Sequence, residues 1–195
     1  MSDVYAESDE QLVSLYLSGK ESSLDILVQR YLTAIYNFVA QFVGYGTEAE
    51  DVSQETFIKV WKSLKKFDKT KKFKPWLYRI AKNTAIDYLR QRKIFLSVEN
   101  LHDEEGENTD NFFVDPKPLP FDVVASLENK EAILRIVDSL PKIYAVVLKL
   151  YYLEGFSLPE IAEILSESID TVKSKHRRAL IRIRKLLGEE GYLLG

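Results

Sequence analysis

Apolar residues recur along this chain at the helical spacing of three and four, and no stretch alternates as a half-buried strand would. Leu12, Leu15 and Tyr16 share one face behind a Ser8–Gln11 capping box. Residues 21–43 carry Leu24, Leu27, Val28, Tyr31, Ile35, Phe38, Val39 and Phe42, up to the breakers Gly44 and Gly46. A second capping box, Thr47 with Glu50, predicts a helix to Leu64 with Ala49, Val52, Phe57, Val60 and Trp61 as its apolar residues. A basic loop, FDKTKKFK, then leads to Pro75 at the start of a helix that runs to Lys93.

From Val98 to Asp122 the periodicity stops. This stretch is acidic and holds Gly106, Asn108 and three of the six prolines, Pro116, Pro118 and Pro120, so it reads as an extended, mobile linker. Helical spacing resumes over residues 123–138. Pro141 opens another helix to Leu153, and Gly155 ends it. The expected architecture is all-α: a helical domain over residues 1–95, a flexible acidic linker over 96–122, and a second helical domain over 123–195.

The most informative pattern is SLPEIAEILSESIDTVKSKHRRALIRIRKLL, residues 157–187. Ser157 and Glu160 form a capping box with Pro159 in the first turn, and Leu158, Ile161, Ala162 and Leu165 line one face. Ser166, Glu167 and Ser168 interrupt the spacing, and Ser168 or Asp170 caps a new helix. Its apolar stripe is Val172, Ala179, Leu180, Ile183, Leu186 and Leu187; its remaining surface carries seven cations and no acid over residues 171–187. Two short helices around a polar turn, the second of them basic, is the pattern of a helix-turn-helix whose second helix enters the DNA major groove.

Composition sharpens this picture. The 195 residues are 46% hydrophobic, enough for packed cores, and contain no cysteine, which excludes disulfides, thiolate metal sites and a Cys nucleophile. The N-terminus is acidic with no apolar run, unlike a signal peptide, and no segment approaches membrane-spanning length, so a cytoplasmic protein without membrane insertion is expected. The net charge of −3 hides segregation: residues 1–55 are net −8, 71–93 net +7, 97–122 net −7 and 171–187 net +7. Two compact basic patches on an acidic chain point to two polyanion contacts.

The runs AEDVSQETFIKVW (49–61) and FKPWLYRIAKNTAIDYLRQRK (73–93) resemble the second conserved region of bacterial sigma factors. The run from Leu140 to Leu187 resembles their fourth region. Only these two regions are present, as in the compact extracytoplasmic-function (ECF) group. The resemblance implies a transcription initiation factor that binds core RNA polymerase, directs it to promoters and opens the DNA. Glu48, Asp51, Gln54, Glu55 and Phe57 would then dock on the clamp helices of the largest polymerase subunit. Asp51, Gln54 and Glu55 share a face, although acids at a helix start are also favoured by the dipole alone. Lys71, Lys72, Lys74, Trp76, Arg79, Lys82, Asn83, Asp87 and Arg90 would meet the melted minus-ten element, with Asp87 orienting a neighbour. Trp76 is read first as core and second as a stacking platform. Thr171, Lys173, Ser174, Lys175, Arg177 and Arg178 would meet the duplex minus-thirty-five element, and His176 is read as a partly buried imidazole. Ser166 and Glu167 stand where this family commonly has glycine and an aliphatic residue. An anti-sigma factor is a further implied partner, and the free protein is expected to be monomeric.

Catalysis, cofactors and metals find no sequence support. His102 and His176 are the only histidines, and the HDEE run over residues 102–105 reads as solvated carboxylates. Two other readings stay open at this stage: a stand-alone helix-turn-helix regulator, and a sigma mimic that sequesters an anti-sigma factor.

Overall fold

The computed structural model describes residues 7–96 and 135–189, and all its elements are helical; among the described residues there is no strand. The chain divides into two compact units, each considered separately below.

The first unit contains α1 (Asp9–Leu17), α2 (Ser22–Val43), α3 (Thr47–Ser63), a 3₁₀ turn (Leu64–Lys66) and α4 (Phe73–Leu96). Helix α2 packs against α1, α3 and α4. Its stripe of Leu27, Tyr31, Ile35, Phe38 and Val39 is buried, as the spacing predicts. Leu12 and Val13 from α1, Val52 and Val60 from α3, and Leu77, Tyr78, Ala81 and Ala85 from α4 complete the core. Ser53, Thr56 and Thr84 are buried but donate to the carbonyls of Ala49, Val52 and Ile80, one turn back. Their burial therefore leaves no hydroxyl unsatisfied.

Helix α1 is fastened by its first-turn acids. The Ser8–Gln11 capping box forms as expected. Asp9 accepts from Arg30 at 2.5 Å and from the Tyr31 hydroxyl, and burial followed by that hydrogen bond pushes the phenol well above its usual range.

Two sequence expectations for α3 need correction. The Thr47–Glu50 capping box does not form: Gly46 is the N-cap, at φ 121°, and no side chain caps the helix. Thr47 is thus already the first helical residue, because the chain enters α3 through a conformation that only glycine adopts without strain. Trp61 is not core either. It is 51% exposed, and Phe57 is only half-buried, because the inner face runs through Ala49, Val52, Ser53, Thr56 and Val60. Helix α4 begins two residues before Pro75 and extends to Leu96, three residues beyond its expected end and one into the expected linker.

The second unit contains a helical segment at 135–139, then α5 (Lys142–Tyr152), α6 (Leu158–Leu165) and α7 (Ile169–Glu189). Val137, Leu140, Tyr144, Ala145 and Leu148 pack with Ala179, Leu180 and Ile183 of α7. The beginning of the helix expected over 123–138, most of the acidic linker, and His102 to Glu105 lie outside the described residues.

Candidate nucleic-acid and partner interfaces

On α3, Asp51, Gln54 and Glu55 are all exposed and share one side of the helix, at i, i+3 and i+4. The same stripe continues through Ile58, 43% exposed, and Trp61. The Trp61 indole N–H donates to the Tyr16 hydroxyl at 2.7 Å, which fixes the ring on the surface. An acidic and amide patch therefore runs into an apolar one, the composition of a protein-binding surface with an aromatic anchor. Sequence reading assigned Trp61 to the core and passed over Ile58. The available signal was their position at i+7 and i+10 from Asp51, on the polar side. Glu48, three residues before Asp51 and seven before Glu55, lies at the edge of this side, half-buried and paired with Arg92 of α4 at 3.4 Å, whereas Phe57 is half-buried away from the stripe.

The basic loop before α4 is built from both ends. Phe67 is buried, with its ring centroid 4.9 Å from that of Trp76 and 6.0 Å from that of Phe73. Asp68 accepts from the Thr70 N–H at 3.0 Å and hydroxyl at 2.7 Å, and the Lys71 N–H returns to the Asp68 carbonyl at 3.0 Å. The Thr70 bonds hold the Asp68 carboxyl below the usual carboxylate range. At the far end, Glu10 of α1 accepts the Phe73 N–H at 3.0 Å, taking one of the free donors at the start of α4. A short polar loop thus presents Lys71 and Lys72 to solvent, with Lys74 half-buried beside them and 5.9 Å from the centre of the Tyr78 ring.

Below the loop, Trp76, Arg79, Asn83, Asp87 and Arg90 follow one another at helical spacing down one side of α4, with Lys82 flanking them. Asn83, Asp87 and Arg90 are exposed; Trp76, Arg79 and Lys82 are half-buried. Trp76 belongs to the Phe67–Phe73 aromatic cluster, in line with the core reading, and keeps part of its surface open. Asp87 sits 3.5 Å from Lys59 of α3, which also lies 3.9 Å from Glu55.

The helix-turn-helix is shaped by local signals. Glu160 accepts from the Ser157 N–H at 2.8 Å and hydroxyl at 2.7 Å, while the return bond from the Glu160 N–H is long, at 3.5 Å. Helix α6 ends with Ser166 at φ 57°, the left-handed region that favours glycine. The Glu167 N–H bonds the Ala162 carbonyl at 3.0 Å and the Ser166 N–H bonds that of Glu163 at 3.3 Å, the Schellman pattern. Ser168 then caps α7 by accepting the Thr171 N–H at 3.1 Å.

On α7, Thr171, Lys173, Arg178, Arg182, Arg184 and Lys185 are exposed, and Ser174, Lys175 and Arg177 are half-buried. Not all six sequence-predicted contacts share a surface. Lys175 lies on the inward flank, with its Nζ 2.6 and 2.7 Å from the two carboxylate oxygens of Glu167. His176 packs against Tyr151 and Tyr152, with ring centroids 4.9 and 5.8 Å away, and its Nε2 is buried without a hydrogen-bond partner. Burial holds the imidazole below its ordinary pKa, in keeping with the partly buried reading. Among the described residues, no group of three or more His, Asp or Glu side chains is arranged to hold a metal ion, and no helix is long and apolar enough to cross a membrane.

Comparison with known proteins matches residues 27–94 to the family described as sigma-70 region 2 and residues 130–183 to that described as sigma-70, region 4. The chain is 36% identical over 171 residues to the ECF RNA polymerase sigma factor SigW of Bacillus subtilis (strain 168), covering 87% of this chain and 91% of that protein. It is 33% identical over 183 residues to the RNA polymerase sigma-H factor of Pseudomonas aeruginosa PAO1, covering 93% and 94%. Among solved structures, CnrH in complex with the cytosolic domain of CnrY superposes with a TM-score of 0.62 at 24% identity, over 94% of this chain and 99% of that one, a likeness of fold.

Proposed function

The chain belongs to the sigma-70 family of RNA polymerase sigma factors, in the ECF group, and we propose how its surfaces divide the work of that family. It is a transcription initiation factor that directs RNA polymerase to promoters. In our reading, the exposed side of α3 docks on the clamp helices of the largest polymerase subunit. Asp51, Gln54 and Glu55 supply the polar contacts, and Ile58 and Trp61 supply the apolar anchor. Glu48 and Phe57 act at the margin of this surface.

The Lys71–Lys74 loop and the outward side of α4 take the minus-ten element. Opening a duplex leaves bases to be stacked and a backbone to be held, and this surface offers an aromatic edge at Trp76, an amide at Asn83, and cations at Lys71, Lys72, Lys74, Arg79, Lys82 and Arg90. Helix α7 takes the duplex minus-thirty-five element through Thr171, Lys173, Ser174, Arg177 and Arg178, with arginine and lysine able to reach guanine acceptors. Residues 96–122 act as the tether. The protein works in the cytoplasm, is monomeric when free of polymerase, and is held in check by an anti-sigma factor.

The observation that carries this reading is that the exposed polar and apolar stripe of α3 and the basic sides of α4 and α7 fall within the stretches that match the two sigma regions. Run-off transcription tests it. Core polymerase supplemented with the purified chain should start transcripts at discrete sites absent with core alone. A lack of such transcripts, with intact core binding, would return the chain to the mimic reading.

A further inference from the structure

The recognition helix carries a restraint on its own charge. Lys175 meets both oxygens of Glu167 at hydrogen-bonding distance, and the pair is sheltered, with side-chain exposures of 22% and 28%. By contrast, Lys173 and Asp170 are 3.9 Å apart at 57% and 88% exposure, the kind of surface pair that contributes little. Glu167 is not a loose partner. Its backbone N–H is tied to Ala162 in the turn, directly after left-handed Ser166, so its carboxylate projects from a fixed point. Lys175 is three residues after Val172 and four before Ala179, both fully buried, so its stem lies along the packed side of α7.

We propose that Glu167 withholds Lys175 from DNA, limiting the sequence-independent electrostatic grip of the recognition helix. This rests on the reading that α7 faces the duplex. Phosphate neutralisation supplies most non-specific affinity, whereas base contacts supply discrimination. A lysine held by a carboxylate releases no DNA counterion. Its capture therefore lowers background binding while leaving Ser174, Arg177 and Arg178 to select sequence.

Salt titration of full-length protein on a mixed-sequence DNA duplex tests the restraint. Glu167→Gln should steepen the slope of log affinity against log salt by about 0.9, the contribution of one neutralised phosphate. Lys175→Ala alone should leave the wild-type slope unchanged, and Glu167→Gln with Lys175→Ala should return to it. Matching urea midpoints would exclude a folding defect as the cause. An effect of Glu167→Gln that persists without Lys175 would reduce it to long-range charge and overturn the proposal. So would a full-step loss of slope in Lys175→Ala alone, since Lys175 would then already be a phosphate contact. Arg178→Ala separates the two levels: if it leaves binding unchanged, α7 is not the DNA-facing helix and the underlying reading fails, not the latch alone.

Discussion

Helices α4 and α7 both present a basic side, yet they are held in place by different means. The loop and first turn of α4 depend on residues distant in sequence: Glu10 caps Phe73, Tyr31 lies 6.0 Å from the Phe73 ring, and Phe67 closes the aromatic cluster with Trp76. The turn and start of α7 are set by contacts between residues at most 8 apart in sequence: the Ser157–Glu160 box, the Schellman pattern at Ser166, the Ser168 cap and the Glu167–Lys175 pair. A surface assembled by tertiary packing should fail with the core of its unit. One assembled by local caps should shift in small steps.

The largest effect should follow from breaking the tertiary arrangement. Phe73 is 1% exposed and touches three aromatic rings. Phe73→Ala should cost about 3–5 kcal/mol, a large part of a small domain's stability. Urea unfolding should show the first unit melting early while the second keeps its midpoint. Coincident loss of both would mean that the two units do not fold separately.

This contrast also explains what could be read from sequence. Periodicity located every described helix and most of the buried stripe of α2, because burial there follows spacing alone. Caps were legible where the side chain sits beside the donor it satisfies, as at Ser8, Ser157 and Ser168. The Thr47–Glu50 box failed because Gly46, one residue earlier, took the cap position. Trp61 was misplaced because helical phase alone does not say where the edge of an apolar face lies. The Glu10–Phe73 and Phe67–Trp76 contacts depend on how helices pack, which spacing within one helix does not encode. The Glu167–Lys175 pair was hidden for a related reason: seven cations without an acid over residues 171–187 looked uniformly outward, and the neutralising carboxylate lies just before the helix.

The α3 stripe ranks next. Trp61→Ala should weaken association with core polymerase by about 2 kcal/mol, roughly thirtyfold, if the indole is an interface anchor. Asp51→Arg with Gln54→Ala should weaken it as well. Half-exposed Trp61 contributes little to the core, so thermal stability should barely move in either variant. Wild-type core binding by both would remove this side of α3 from the interface.

The local turn should respond more gently. Ser166→Gly relieves a left-handed backbone and should stabilise the second unit by about 0.5–1 kcal/mol, the extra freedom of glycine in the unfolded chain offsetting part of the gain. A lower urea midpoint would contradict the strain assigned to that residue.

The smallest expected effect is a pH dependence from His176. Its folded pKa lies below the ordinary 6.5, so the unfolded chain takes up this proton first. The associated stability is present above pH 6.5 and is lost progressively as pH falls from there toward the folded pKa. His176→Phe should flatten that portion of the stability profile. An unchanged slope would place its origin elsewhere.

The division of labour between α4 and α7 is tested most directly by footprinting two variants in otherwise identical holoenzyme. Permanganate reports unpaired thymines near the minus-ten element, and nuclease protection reports the upstream contact. Replacing Lys71, Lys72 and Lys74 with Ala should sharply reduce permanganate reactivity while upstream protection persists. Replacing Arg177 and Arg178 with Ala should remove upstream protection, and on promoters that do not depend on the upstream element the opened region should remain reactive. Equal loss of both signals in both variants, or of neither, would contradict the assignment of opening to α4 and anchoring to α7.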